Sequence, residues 1–145
     1  MASKHKARYL LFETPMWGIR VHFIEAATMT AAVTEVRRRW PALDVSTGDT
    51  DHTDGVCVQS PEDEPIVMLP VGATAGCVAH ECLHATLMVL KKVGASVSVH
   101  DDETAAYTLQ RIVDAVAPWL TTRRRPALPT PPKPAPPAPP ETTED

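Results

Sequence analysis

The chain has 145 residues, of which 43% are hydrophobic, 22% charged and only 5% aromatic, and its formal net charge is −4. That length fits one domain, the charge argues against a general nucleic-acid binder, and no apolar run approaches the roughly 18 residues of a membrane span. The opening MASKHKARYL lacks the apolar stretch of a secretory signal, and Cys57, Cys77 and Cys82 make an odd set, so the expectation is a cytoplasmic protein with reduced thiols.

Residues 8–13 (RYLLFE) and 18–25 (GIRVHFIE) have strand composition, and the turn residues Pro15 and Gly18 between them predict a β-hairpin. TMTAAVTEVRRRW follows as a helix capped by a threonine and stopped by Pro41. Its Ala31, Val33, Val36 and Trp40 share a face, and Arg37, Arg38 and Arg39 form a solvated basic end. Residues 44–54 read as a polar loop. GVCVQ (55–59) and PIVMLPV (65–71) then suggest a second hairpin, with Pro65 and Pro70 pushing the latter run toward a sheet edge.

From Ala73 to Val93 the chain has no proline. It begins near Thr74, carries Lys91 and Lys92 at its end and meets Gly94, which are helix start and stop signals. Val78, Leu83, Leu87 and Leu90 are its expected buried stripe. After a short link, DDETAAYTLQRIVDAVAPWL predicts a second helix, capped by Asp101 or Asp102 and ended by Pro118. Its apolar face is Ala106, Leu109, Ile112, Val113 and Val116. The short connection makes the two helices antiparallel neighbours. Beyond residue 120, nine of the fifteen residues from Pro126 to Pro140 are proline, so the chain divides into a domain at 1–120 and an extended, disordered Pro-rich tail at 121–145, a spacer or a docking strip for a partner.

The chemistry concentrates in His80-Glu81-Cys82-Leu83-His84. Histidines four apart share a helical face, and each can put a ring nitrogen about 2.0–2.1 Å from one zinc ion. Glu81, a quarter-turn away, is the candidate general base: two ligands and a base from one turn of helix. A catalytic zinc needs a third protein ligand. The candidates are Glu103 first, nineteen positions beyond His84, then Asp102, with His100 and Asp101 behind. Tyr107, one turn after Glu103, is the candidate oxyanion donor, with packing between the helices as its alternative. His22 and His52 read as ordinary strand and loop histidines. Cys82 should be buried packing, and Cys77 is either a small core residue or a competing thiolate ligand.

The stretch GCVAHECLHATLMVLKKVG followed by DDETAAYTLQRIV resembles small phage-encoded metallopeptidases, which share an HECxHA helix, a glycine, a short link and an acidic E-x-x-A-Y helix. YLLFETPMWGIRVHF is similar to their N-terminal strands, so the resemblance spans about residues 8–120. It implies an α+β, zincin-like domain: β-hairpins and a helix, an edge strand, then two antiparallel helices carrying the metal. It implies His80 and His84 as zinc ligands, Glu81 as base and Glu103 as a gluzincin-type third ligand. The implied activity is hydrolysis of a peptide or amide bond in the host cell cytoplasm. Apart from the resemblance, the 65–71 run read as an edge strand offers an extended peptide substrate a place to pair. The small size leaves no second domain to wall a deep cleft. The competing expectation is a catalytically silent zincin-like binding or regulatory phage protein with a structural zinc and a Pro-rich docking tail that recruits a partner. A peptidase with one dedicated protein substrate is the third.

Overall fold

The computed structural model describes residues 6–45, 54–98 and 102–121. His52, His100, Asp101 and the Pro-rich tail lie outside them. In chain order the elements are β1 (Arg8–Glu13), β2 (Arg20–Ala26), α1 (Met29–Arg39), β3 (Val56–Gln59), β4 (Pro65–Pro70), α2 (Ala75–Lys92) and α3 (Glu103–Thr121). The class is α+β. The four strands form one mixed sheet in the order β1-β2-β4-β3. Both expected hairpins are present, β1 antiparallel to β2 and β3 antiparallel to β4, and the hairpins join through a parallel β2–β4 pairing.

Helices cover both faces of this sheet. Side chains alternate along a strand, so Val21, Phe23, Val67 and Leu69 point to one side and meet Val78, Cys82, Ala85 and Val89 of α2 and Ile112 and Val116 of α3. Ile24, Ala26, Ile66 and Met68 point to the other and meet Met29, Ala32, Val33 and Val36 of α1. A strand covered on both faces reads as a continuous apolar run. That corrects the placement of residues 65–71: β4 is interior, and the edge beside α2 is β3. Pro65 and Pro70 are tolerated there because they are the first and last residues of the strand, where a missing N–H interrupts little of the ladder.

The helix ends follow their caps. Thr28 and Thr74 accept the N–H groups of Ala31 and Cys77, each at 3.2 Å. At the far end of α2, Gly94 takes φ +73°, its N–H reaches the Lys91 carbonyl, and the Ala95 N–H reaches that of Leu90. This double bond closes the helix and needs a left-handed residue at the glycine. Pro118 does not end α3, which runs on to Thr121. Its missing N–H costs one bond near the terminus, and the turn beyond is held by Arg8, whose guanidinium stacks 4.5 Å from the Trp119 ring and donates to the Trp119 carbonyl. The basic end of α1 is paired as well as solvated: Arg38 and Arg39 both reach Glu35 at 2.7 Å.

On α2 the buried stripe is rotated from the expected one. Val78, Cys82, Ala85 and Val89 face the sheet and Leu90 is buried, whereas Leu83 and Leu87 are 44% and 43% exposed. Small residues at 82 and 85 let the helix approach the sheet closely, which a leucine stripe would prevent. None of the described helices is long and apolar enough to cross a membrane.

Candidate metal centre

The rotation of α2 decides how the motif is presented. Turning Cys82 and Ala85 onto the sheet sends His80 and His84 to the outer face, where both are exposed. Their Nε2 atoms lie 3.1 Å apart and their rings cross at 79°. Two nitrogens bound at 2.0–2.1 Å to one tetrahedral zinc are separated by about 3.3–3.4 Å. The two ring nitrogens are thus already close to a chelating separation.

Glu81 projects toward the flank of α2 that faces β3 and is 6% exposed. Gly55 leads into β3 at this level, and a methyl there would lie 2.8 Å from Cys77 Sγ and 2.9 Å from Glu81 Cγ. Farther along, the Cys57 thiol contacts Met88 Sδ at 3.8 Å. The edge strand therefore runs beside α2 starting from Glu81. Glu81 makes no hydrogen bond with another described residue, so its carboxylate has acceptor capacity to spare.

The thiols around it are all shifted upward. Burial, reinforced by the charge of Glu81, pushes both Cys57 and Cys82 up to about 12. Cys82 is fully buried packing, as expected. Cys77 is also raised, by burial first and then by Glu81 and Asp54, and its thiol donates to the Asp54 carbonyl at 2.8 Å. Each thiol is therefore biased toward its protonated form, not the thiolate that binds metal.

The other expected site residues are placed differently. Ala75, Val78 and Ala79 in the first turns of α2 face Val113, Ala117 and Leu120 near the end of α3 across an apolar groove, so the helices are antiparallel. Continuing that alignment sets Glu103 level with the last turn of α2, about six residues or roughly 9 Å of helix rise beyond His84. Glu103 and Asp102 are both exposed. Among the described residues, no third His, Cys, Asp or Glu joins the histidine pair to make a group of three. Tyr107 neither packs between the helices nor shares a cleft with α2. It is 43% exposed and faces the β1–β2 turn beside Arg111.

One polar cluster escaped the sequence reading. His22 is buried on the α1 side of the sheet; its Nε2–H donates to Glu64 at 2.8 Å, and Arg20 donates to the other Glu64 oxygen at 2.9 Å. The Nδ1 of the same ring lies within hydrogen-bond distance of the Tyr9 hydroxyl, at 2.8 Å. Arg39 caps the Tyr9 ring at 3.8 Å, and Trp40 meets His22 edge-on at 4.9 Å. The only sequence signal was a histidine at an inward position of a strand. Its partners are 13 and 42 residues away. The cluster ties β1, β2 and the β3–β4 turn together.

Comparison of the chain with protein-family models, curated proteins and solved structures finds no match.

Proposed function

We propose that the chain is a zincin-like, zinc-dependent hydrolase acting on a peptide or amide bond, with His80 and His84 as metal ligands and Glu81 as general base. The 3.1 Å approach of the two Nε2 atoms carries this reading. A zinc ion bound there would supply Lewis acidity toward a water and a carbonyl oxygen. Glu81 then does the proton work: its carboxylate accepts a proton from the attacking water and returns it to the leaving amine. Burial against Gly55 fixes the stem of Glu81, which saves the entropy of positioning it. An extended substrate adds along β3, the last strand of the sheet among the described residues, on the flank from which Glu81 emerges, and not to residues 65–71. Glu103 is the proposed third ligand. From its place at the head of α3, reaching the pair requires that end of the helix to shift along α2.

Metal content of protein purified without chelator tests the site. One zinc per chain is expected in the wild type, with near-complete loss in His84→Ala. Metal-free wild type removes the proposal. Glu103→Ala is expected to weaken zinc binding about tenfold or more; unchanged affinity removes Glu103 from the ligand set while leaving the histidine pair.

A second reading, a zincin-like binding or regulatory module with a structural metal, is favoured by one observation: Glu81 is 6% exposed, wedged between β3 and three thiols. Glu81→Gln separates the two. Hydrolysis lost with zinc retained supports the base; function retained supports the binding module.

A further inference from the structure

We propose that the groove between the start of α2 and the end of α3 holds a segment of the chain's own proline-rich extension, Pro126–Pro129, independently of the histidine pair. The groove has a volume of about 160 Å³, room for a group of about the size of benzene and so for a leucine side chain or a proline ring. Its side chains are apolar apart from Thr121. Ala75 and Ala79 on one wall and Ala117 on the other are exposed, so the space between the two helices opens to the outside past short side chains that do not fill it.

The point where α3 ends names the occupant. Thr121, its last residue, is itself part of the groove wall, and Pro126 follows after the four residues 122–125. Those four residues can span up to about 13–14 Å, while the groove wall from Leu120 back to Val113 is roughly 10 Å of helix rise. A reversal at 122–125 therefore returns the chain into the groove. Arg123, Arg124 and Arg125 put positive charge just past the C-terminal end of α3, where the helix dipole favours it, and this keeps the reversal close to the helix.

The chemistry of the segment suits the walls. A backbone buried among apolar side chains needs partners for its N–H groups, and proline has none to satisfy. In Pro126–Pro129 only Ala127 and Leu128 carry an N–H. Proline also preorganises an extended chain, so little entropy is lost when it is laid in a groove. Leu128 is the one large branched aliphatic side chain after Thr121, and it is the group that fits between the three alanines. Tethering decides between this segment and a separate chain. A short linker sets an effective concentration on the order of 1 mM. A contact with a dissociation constant of roughly 0.1 mM is then about nine-tenths filled from within the same molecule.

The test uses the full chain with ¹³C-labelled alanine and leucine methyl groups. Leu128→Asp identifies the Leu128 signals and brings a charge to where the groove is apolar. In the wild type, nuclear Overhauser effects are expected from the Leu128 methyls to those of Ala79 and Ala117, unchanged between dilute and concentrated samples. Leu128→Asp should shift the methyl signals of Ala75, Ala79 and Ala117, while Ala138→Asp, the same charge farther along the extension, leaves them in place. A synthetic peptide of residues 122–132 should then bind the emptied groove of the Leu128→Asp chain with half-saturation on the order of 0.1 mM, and the wild type about tenfold more weakly, because its own segment competes. Absence of the Overhauser effects together with alanine signals indifferent to Leu128→Asp overturns the proposal. Equal peptide binding by the two chains overturns it as well. Overhauser effects that pass only between differently labelled copies assign the groove to a second molecule and likewise overturn it.

Discussion

Replacing Gly55 by alanine probes the contact on which the placement of Glu81 rests. The added methyl would meet Cys77 Sγ at 2.8 Å, Glu81 Cγ at 2.9 Å and Leu69 Cδ2 at 3.3 Å. Ordinary carbon contacts lie at about 3.5–4.0 Å, so β3 and α2 must separate by roughly half an ångström or more. Cys77 can rotate away only by giving up its bond to the Asp54 carbonyl. The Glu81 Cγ is tied to a helix packed on the sheet, and Leu69 is fully buried. Overpacking of this kind costs about 1–3 kcal/mol, which for a domain of this size lowers the melting temperature by roughly 4 °C per kcal/mol. Gly76→Ala is the control. Its new methyl would find only Thr74 Oγ1, at 3.9 Å, and it lies inside α2, where alanine is favoured by up to about 1 kcal/mol. Urea and thermal unfolding of both variants measure the difference. Under the proposed function, zinc binding should survive in Gly55→Ala, because the histidines face outward, while hydrolysis falls with the displaced Glu81. A Gly55→Ala protein as stable as the wild type would refute the close approach of β3 to α2.

Removing Glu64 strands a buried histidine, so Glu64→Ala should cost about 2–4 kcal/mol in urea unfolding, several times the effect of Glu35→Ala, whose partner Arg38 is exposed. Hydrogen bonding from Arg38 leads the effects that hold Glu35 down to about 2 from an ordinary 4.5. Its stabilisation is complete above pH 4.5 and is lost as pH falls from there toward 2; as a surface pair it is worth about 1 kcal/mol or less. Burial would raise Glu64, but the bonds from His22 and Arg20 outweigh it and hold the carboxyl low, so it adds to the same acid loss. Melting temperatures measured across this range should fall less steeply in Glu35→Gln. Thiol labelling of the folded protein at pH 7.5 should reach half-buried Cys77 first. Cys57 and Cys82, raised to about 12, should carry a thiolate fraction about a thousandfold below that of an ordinary thiol.

Much of this architecture could be read from local chemistry. Thr28, Thr74 and Gly94 mark helix ends through bonds within a few residues, and the two hairpins follow from turn residues between apolar runs. The HExxH spacing places two imidazoles together because a helix repeats every 3.6 residues. What stayed hidden depends on distant partners. α2 is apolar around most of its circumference, so periodicity alone did not choose between the Leu83–Leu87 stripe and the Cys82–Ala85 stripe; the approach of the sheet did. Pro65 and Pro70 suggest an edge when read singly, yet a strand bounded by prolines fits the middle of a sheet whose two faces are covered. The order of the strands joins residues about 44 positions apart, as in the pairing of His22 with Ile66, and no window along the chain contains that fact. Glu103 had the spacing of a third ligand, but spacing fixes distance along the chain and not which turn of α2 it faces.

The parallel β2–β4 seam has a mechanical meaning. Each half of the domain is a hairpin followed by a helix, and each helix covers the opposite side of the shared sheet. Neither hairpin alone has enough strands to persist in water, so nicking the chain between α1 and β3 and separating the pieces should leave two unfolded peptides, not two half-sized domains. The edge strand beside Glu81 therefore inherits its rigidity from residues near the start of the chain.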